Sequence, residues 1–432
     1  MGLVVSEGQQ SERQPARRLA LFAAGDFGFN LLWQPIALYL LFYQTEVLRL
    51  PLALAAAAFA AATVWDGIVG FVAGLLLDRL GSGTVYRRML VWGALPLAGV
   101  FVLPWLPPPG SDGVAVVWVF AAQLLFRTGY AVVNLAYVAL SAQVSADSRD
   151  RALVAGLRML AGTLAAVGVA LGAAPLGYHP AVLGAAALAS GGIALVGRTF
   201  VAAPLPAAVP PASLRTALGG IVRNRAFVTL AAAMGAMIVA TGLTSASVLY
   251  FFKYALADEA GGRLALATMM ATSAIAVPLW TALGRRVGAR AVWFWASGVS
   301  LVLLAWFVGA GPGSGGTQIF LVAMQAATVG LHFAFWALLP DTIEWGQRDS
   351  GLRLEGTAAG LATLIQRVAA GGATALFGWW LAAADGFAPE GLRATLAALP
   401  FAFLLLGVAA MRANPLRRGA HARVVQDLTP PA

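Results

Sequence analysis

Long apolar segments recur along the whole chain, and they restrict its fold more than any other feature. Each is close to or above the ~20 residues that an α-helix needs to cross a membrane. Twelve are predicted, at roughly 19–44, 51–77, 89–106, 114–141, 153–175, 180–198, 227–252, 262–284, 289–309, 317–340, 355–383 and 392–411. Charged residues make up only 11% of the chain, against roughly 25% in soluble domains. These features exclude a soluble enzyme and predict an all-α integral membrane protein.

The basic residues predict how the chain is oriented. With the N-terminus in the cytoplasm, the cytoplasmic segments carry 21 Lys and Arg residues and the opposite loops carry four. Such an excess is the positive-inside signal. We therefore expect a multi-pass protein of the cell inner membrane with both termini cytoplasmic. No cleavable signal peptide is expected, since the polar head leads directly into a full-length span, and the scattered charge argues against a nucleic-acid partner.

A polar, proline-containing stretch at 199–226 separates six predicted spans from six more. Asp78-Arg79-Leu80-Gly81 follows span two, and Arg285-Arg286-Val287-Gly288 follows span eight, although two short basic turns can also match by chance. We predict an N-terminal six-helix bundle (1–198), a cytoplasmic linker (199–226) and a C-terminal six-helix bundle with a cytoplasmic tail (227–432). Two six-helix halves are the layout of major facilitator transporters, which predicts that fold and argues against a channel.

Several polar side chains fall inside the predicted spans. They are the ionisable Asp26, Asp66, Arg127, Arg158 and Arg367, with Asn30, Gln34 and Asn134 among the neutral ones. At a rise of ~1.5 Å per residue, Asn30, Asp66 and Arg367 each lie ~18 Å along their helices, near the depth where transporters bind substrate. Intramembrane charges usually face a cavity or one another. A purely structural role, in which they hold helices together, stays open for each of them.

The helical positions of these residues indicate what they bind. Asp26, Asn30 and Trp33 share one stripe of the first span, and Arg127, Tyr130, Asn134 and Tyr137 share a stripe of the fourth. Aromatic rings beside amide and carboxylate groups suit a ligand with hydroxyls and an apolar ring face, such as a sugar. A membrane enzyme is not predicted, because three scattered histidines and no cysteine offer no nucleophile or metal cluster.

Four blocks of sequence carry a family resemblance that covers nearly the whole chain. They are Gly25–Leu31 with Leu40–Val47, Trp65-Asp66-Gly67 with Asp78-Arg79, Tyr130 to Arg158, and Asp341–Gly346 with Arg353 to Arg367. In this order and spacing they resemble the glycoside–pentoside–hexuronide:cation symporters, the melibiose-carrier type of the major facilitator superfamily.

The resemblance implies roles for individual residues. Asp66 and Arg367 are the implied coupling residues, and Asn30, Asn134 and Arg158 resemble the family's substrate-binding positions. Together with the two helical stripes, this makes the candidate substrate contacts Asp26, Asn30, Trp33, Tyr130, Asn134 and Arg158. The family pattern D-x-x-x-D-P supplies two acids for the cation, whereas Gly70 and Phe71 follow Asp66 here. We therefore expect coupling to H⁺ in preference to Na⁺, or no coupling, and no other cofactor or metal.

Charged residues at the cytoplasmic helix ends form a predicted inner gate. They are Asp78, Arg79, Arg149, Arg151, Asp341, Glu344, Arg353 and Glu355. Opposed charges there can latch the gate while the carrier faces outward; ordinary solvated loop charge is the alternative.

The predicted function is secondary active transport of a sugar or glycoside, by cation symport, through a monomer in the lipid bilayer. A carrier of a lipid-like or other amphiphilic molecule on the same fold is the alternative, since the incomplete cation motif and the apolar Phe71 allow it.

Overall fold

The computed structural model describes residues 16–80, 83–110, 112–141, 144, 148–173, 176–200, 214–350, 355–383 and 387–416. Regular structure within these residues is entirely helical. Nine of the described helices are long and apolar enough to cross a membrane. Three further long helical rods cover the other predicted spans, so each of the twelve predicted spans coincides with a helix.

The described residues of the first half form seven α-helices. They are α1 (Ala16–Pro35), α2 (Leu41–Glu46), α3 (Leu52–Leu80), α4 (Gly83–Val102), α5 (Asp112–Ser141), α6 (Ser148–Gly172) and α7 (Tyr178–Thr199). A π-helical segment, Ile36–Leu40, joins α1 to α2, so these two helices form one rod through the first predicted span. Pro35 precedes the π-helical segment, and its missing N–H explains why the ordinary hydrogen-bond pattern is interrupted there.

The described residues of the second half form eight α-helices, of which α8 and α14 are short. They are α8 (Leu214–Arg223), α9 (Arg225–Tyr250), α10 (Glu259–Val287), α11 (Ala289–Ala310), α12 (Ser314–Ser350), α13 (Glu355–Ala383), α14 (Pro389–Arg393) and α15 (Leu399–Arg412). π-Helical segments extend α9 (Phe251–Ala255) and join α14 to α15 (Ala394–Ala398). Helix α12 continues ten residues beyond the predicted span, and α8 lies within the predicted linker, because a helix outside the bilayer does not need apolar residues all round.

The two halves meet along two helix pairs, α3 with α13 and α6 with α10. The α3–α13 contact is close because small residues face each other along it. A Cβ built on Gly378 would lie 2.3 Å from the Cβ of Ala56, and one on Gly371 would lie 2.8 Å from the carbonyl oxygen of Ala60. Only glycine lets the backbones approach this closely, as in other membrane helix pairs.

Within each half, an arginine ties the start of one helix to the end of another. Arg87, near the start of α4, donates to the carbonyl oxygens of Gly197 and Arg198 at the end of α7. Arg290, at the start of α11, donates to the carbonyl oxygens of Met411 and Leu416 at and beyond the end of α15. The last carbonyls of a helix have no partner within that helix, and both arginines supply donors to carbonyl groups at such helix ends.

Candidate substrate-binding site

The first feature of the interior is an ion pair within the N-terminal half. The Nε atom of Arg158 on α6 contacts Oδ2 of Asp26 on α1, and its Nη2 lies 3.4 Å from Oδ1 of the same carboxylate. The Arg158 guanidinium also lies 4.9 Å from the ring centroid of Tyr137. The hydroxyl of Tyr137 in turn donates to the carbonyl oxygen of Phe22. The two-point contact and the aromatic face hold the guanidinium in one orientation.

This ion pair lies on a cavity of about 520 Å³ between α1, α6 and α10. Its polar lining comes from Asp26, Asn30, Gln34, Arg158, Thr163 and Ser273. The Asn30 side chain donates to the backbone carbonyl of Asp26 and accepts a 3.0 Å hydrogen bond from Gln34. Helices from both halves contribute to the lining. We call it the α6–α10 cavity.

A second ion pair joins the two halves of the molecule. The Nε atom of Arg367 on α13 lies 2.9 Å from Oδ2 of Asp66 on α3. The Asp66 side chain is 5% exposed and that of Arg367 is 33% exposed. Gly67 allows this approach, since a Cβ there would lie 2.8 Å from the Cβ of Arg367. The two predicted coupling residues are therefore in direct contact.

Arg367 also faces a second cavity, of about 200 Å³, on the other side of α1. Its lining includes Trp33, Phe59, Thr63 and Arg127 from the N-terminal half and Ser245, Tyr250, Arg367 and Thr374 from the C-terminal half. We call it the α3–α13 cavity. The guanidinium groups of Arg127 and Arg367 each lie 4.6 Å from the ring centroid of Trp33.

The predicted substrate residues do not all meet in one place. Asp26, Asn30 and Arg158 line the α6–α10 cavity, and Trp33 lines the α3–α13 cavity. Gln34, the residue after Trp33, also lines the α6–α10 cavity, so the two cavities lie against different faces of α1 at the same level of the helix. Tyr130 is buried against Trp33, with ring centroids 4.9 Å apart.

Asn134 lies away from both cavities, and most of the predicted inner gate lies outside the described residues. Asn134 is half-buried on α5 and lines neither cavity. Asp341 and Glu344 are half-buried near the C-terminal end of α12. The remaining predicted gate residues lie outside the described part, either entirely or in their side chains: Asp78, Arg79, Arg149, Arg151, Arg353 and Glu355. The inner gate stays a prediction.

Arg127 lies on the predicted stripe of the fourth span but is not among the predicted substrate or coupling residues. The structure shows it to be 2% exposed at the wall of the α3–α13 cavity. The sequence feature that marks Arg127 is a cationic residue deep inside a span, with no acidic residue three or four positions away.

The halves are also linked at the end of the bundle predicted to be extracellular. Glu46 at the end of α2 accepts hydrogen bonds from Lys253, at 2.5 Å, and from the hydroxyl of Tyr254, at 2.6 Å. Beside them, the hydroxyls of Thr45 and Tyr250 are 2.7 Å apart. These contacts join the two halves at that end of the bundle.

A family model described as "MFS/sugar transport protein" matches residues 21–418. The chain belongs to this family. The glucuronide carrier protein homolog of Escherichia coli (strain K12) is 25% identical over 444 residues, covering 95% of both chains. The isoprimeverose transporter of Lactiplantibacillus pentosus is 24% identical over 386 residues, covering 84% of this chain and 79% of the relative.

A crystal structure of the peptide transporter POT in complex with sulfate has the same fold. It matches with a TM-score of 0.68 at 14% sequence identity, covering 94% of this chain and 95% of that one. The predicted major facilitator fold and the predicted family of sugar symporters are thus confirmed, and the protein is a multi-pass membrane transporter.

Proposed function

We propose that this protein is a secondary active transporter of a sugar or glycoside, with Asp66 and Arg367 coupling transport to protons. The observation that carries the proposal is the ion pair between these two residues. It joins the N-terminal half to the C-terminal half at 2.9 Å, and its Arg367 lines a cavity in the membrane interior.

The lining of the α6–α10 cavity supports a sugar as cargo. Its volume of about 520 Å³ is within the roughly 300–1,000 Å³ typical of small-molecule sites. Asp26, Asn30 and Gln34 offer carboxylate and amide groups that can hydrogen-bond to the hydroxyls of a sugar. Trp33 lies on the same helix but lines the neighbouring α3–α13 cavity. The printed names of the two relatives, a glucuronide carrier homolog and an isoprimeverose transporter, support the same class.

The ion pair suggests how a proton is moved. A guanidinium and a proton compete for the same carboxylate, so opening the contact between α3 and α13 frees Asp66 to take up a proton. A sodium site would require further oxygen ligands, because hard cations are bound by several oxygens. Position 70, one helical turn from Asp66, is a glycine.

The experiment is uptake of methyl β-D-glucoside and methyl β-D-glucuronide into proteoliposomes. We expect an imposed pH gradient to raise accumulation of at least one sugar severalfold, and Asp66→Asn to abolish that effect. Asp258→Asn is the matched control, because Asp258 lies outside the spans. There the Ser314 hydroxyl and the Gly261 N–H donate to it and hold its pKa below its usual value.

Three results would contradict parts of the proposal. Stimulation by a Na⁺ gradient alone, lost in Asp66→Asn, overturns proton coupling. If neither a pH gradient nor a Na⁺ gradient changes uptake, and Asp66→Asn transports normally, Asp66 is structural and the protein is a facilitator. Uptake of lysophosphatidylcholine with no uptake of either sugar overturns the sugar class in favour of an amphiphile.

A further inference from the structure

A third cavity lies at the end of the bundle predicted to be cytoplasmic. It has a volume of about 280 Å³, lies between the start of α1, the end of α7 and Val144, and shares no lining residue with the two interior cavities. We call it the α1–α7 cavity. Its lining is apolar except for Thr199 and two arginines, Arg17 and Arg18. Both arginines are exposed, and neither forms an ion pair in the described part of the chain. The cavity therefore offers two guanidinium groups beside an apolar surface.

The surrounding helix ends add to the positive charge. Arg87, at the start of α4, donates to the carbonyl oxygens of Gly197 and Arg198, on the part of α7 that lines the cavity. The segments that meet here contain five arginines and no Asp or Glu; they are 16–25, 83–102 and 178–200. Guanidinium groups bind phosphate oxygens through paired N–H donors. The charge at this end of the N-terminal half thus favours a ligand that carries a phosphate group.

An exposed apolar stripe on α7 continues from this cavity toward the middle of the predicted bilayer. Leu195 and Leu188 are 48% and 67% exposed. They precede Thr199 by four and eleven residues, so all three share one face of the helix. The helix rises ~16 Å from Thr199 to Leu188, which is about half of the ~30 Å hydrocarbon core. The stripe therefore fits an acyl chain of one leaflet, which a free phosphate ion lacks.

We propose that the α1–α7 cavity binds the headgroup of an anionic phospholipid from the leaflet predicted to be cytoplasmic. The lipid phosphate contacts Arg17 and Arg18, and one acyl chain lies along Leu195 and Leu188. Anionic lipids give the cytoplasmic leaflet a negative surface potential, and basic pockets between helices on that side bind their headgroups. The inference does not depend on the cargo, because this cavity is separate from both interior cavities.

The test is thermal unfolding of the purified full-length protein in detergent. Dioctanoyl phosphatidylglycerol, dioctanoyl phosphatidylcholine and inorganic phosphate are titrated separately. We expect phosphatidylglycerol to raise the melting temperature of the wild type the most, since a ligand of the folded state stabilises it. In Arg17→Gln with Arg18→Gln, the lipid concentration that gives half of this rise should increase about thirtyfold, because each basic residue near an anionic surface contributes about fivefold.

A matched control removes two arginines elsewhere on the same predicted side. Arg223 and Arg225 are exposed near the start of the C-terminal half and do not line the α1–α7 cavity. We expect Arg223→Gln with Arg225→Gln to keep the response of the wild type to phosphatidylglycerol. Should the first double variant not be recovered as folded protein, Arg17→Gln and Arg18→Gln are measured singly, with an expected loss of about fivefold each.

A further variant tests the acyl chain separately from the headgroup. Leu195→Asn should weaken the effect of phosphatidylglycerol severalfold, because it places an amide on the apolar stripe. Leu183→Asn is its control, since Leu183 is also exposed on α7 but lies on another face of the helix. Equal effects of the two variants would overturn the proposed course of the chain along Leu195.

The remaining outcomes decide the ligand and its place. Equal stabilisation by inorganic phosphate, dependent on Arg17 and Arg18, would make the cavity a site for a free anion and overturn the lipid. Equal stabilisation by phosphatidylcholine would overturn recognition of the negative charge. An unchanged response to phosphatidylglycerol in the Arg17 and Arg18 double variant, or no response in the wild type, would overturn the site. Each of these results leaves the proposed sugar transport standing.

Discussion

The glycine at position 70 is the residue that separates this chain from the two-acid pattern of the symporters it resembles. It follows Asp66 by four residues, so the two positions share one face of α3. A Cβ at Gly70 meets no atom within 4 Å. The space for a second carboxylate is therefore present, although the carboxylate is not.

We expect Gly70→Asp to create a response to sodium. Two carboxylates one turn apart supply the oxygens that a hard cation needs, so uptake in proteoliposomes should become stimulated by a Na⁺ gradient. Gly70→Asn is the matched control, because it has the same shape without the charge. Identical uptake by Gly70→Asp in sodium and potassium would show that coupling does not depend on a second acid here.

At the scale of the elements, the packing between α3 and α13 depends on a few glycines. We expect Gly378→Ala to destabilise the protein, because its Cβ would lie 2.3 Å from that of Ala56. Overpacking of this kind typically costs about 1–3 kcal/mol. Gly372→Ala is the control, since a Cβ there meets nothing within 4 Å. Thermal unfolding in detergent compares them, and equal stability of the two variants would contradict the close contact.

The same elements show how far the sequence determines the site. Apolar length predicted the helices and their order, and the ~18 Å depths predicted that Asp66 and Arg367 reach one level. Depth along an axis says nothing about which neighbour a helix face meets. Consequently, Trp33 turned out to line a different cavity from Asp26, and Asn134 lines neither cavity, because those contacts depend on packing between helices far apart in sequence.

At the scale of the whole molecule, Glu46 and Lys253 occupy matching places in the two halves. They are 207 residues apart, the same offset that separates Asp78 from Arg285. The N-terminal half supplies the carboxylate and the C-terminal half supplies the ammonium group of this ion pair, at matching positions of the approximate repeat. The contact joins the two halves at the predicted extracellular end.

Removing this bond should open that end of the molecule. We expect Glu46→Gln to increase the rate at which a membrane-impermeant maleimide labels a Ser245→Cys reporter. If the ion pair stabilises the contact by ~1.4 kcal/mol, the increase is about tenfold. Ser245 lines the α3–α13 cavity, and the chain has no cysteine of its own to react. The exchange of Glu46→Lys with Lys253→Glu should restore slow labelling. Unchanged labelling in Glu46→Gln would show that the bond does not hold the closed state.

The two arginine ties have a consequence for how the protein is assembled. Arg87 joins α4 to α7 within the first half, and Arg290 joins α11 to α15 within the second. In each bundle, therefore, the last helix is held by a contact within the same bundle. We expect that neither bundle requires the peptide connection between them to stay folded. Two half-length polypeptides expressed separately should associate in the bilayer and form a functional carrier, as the subunits of a heterodimer do.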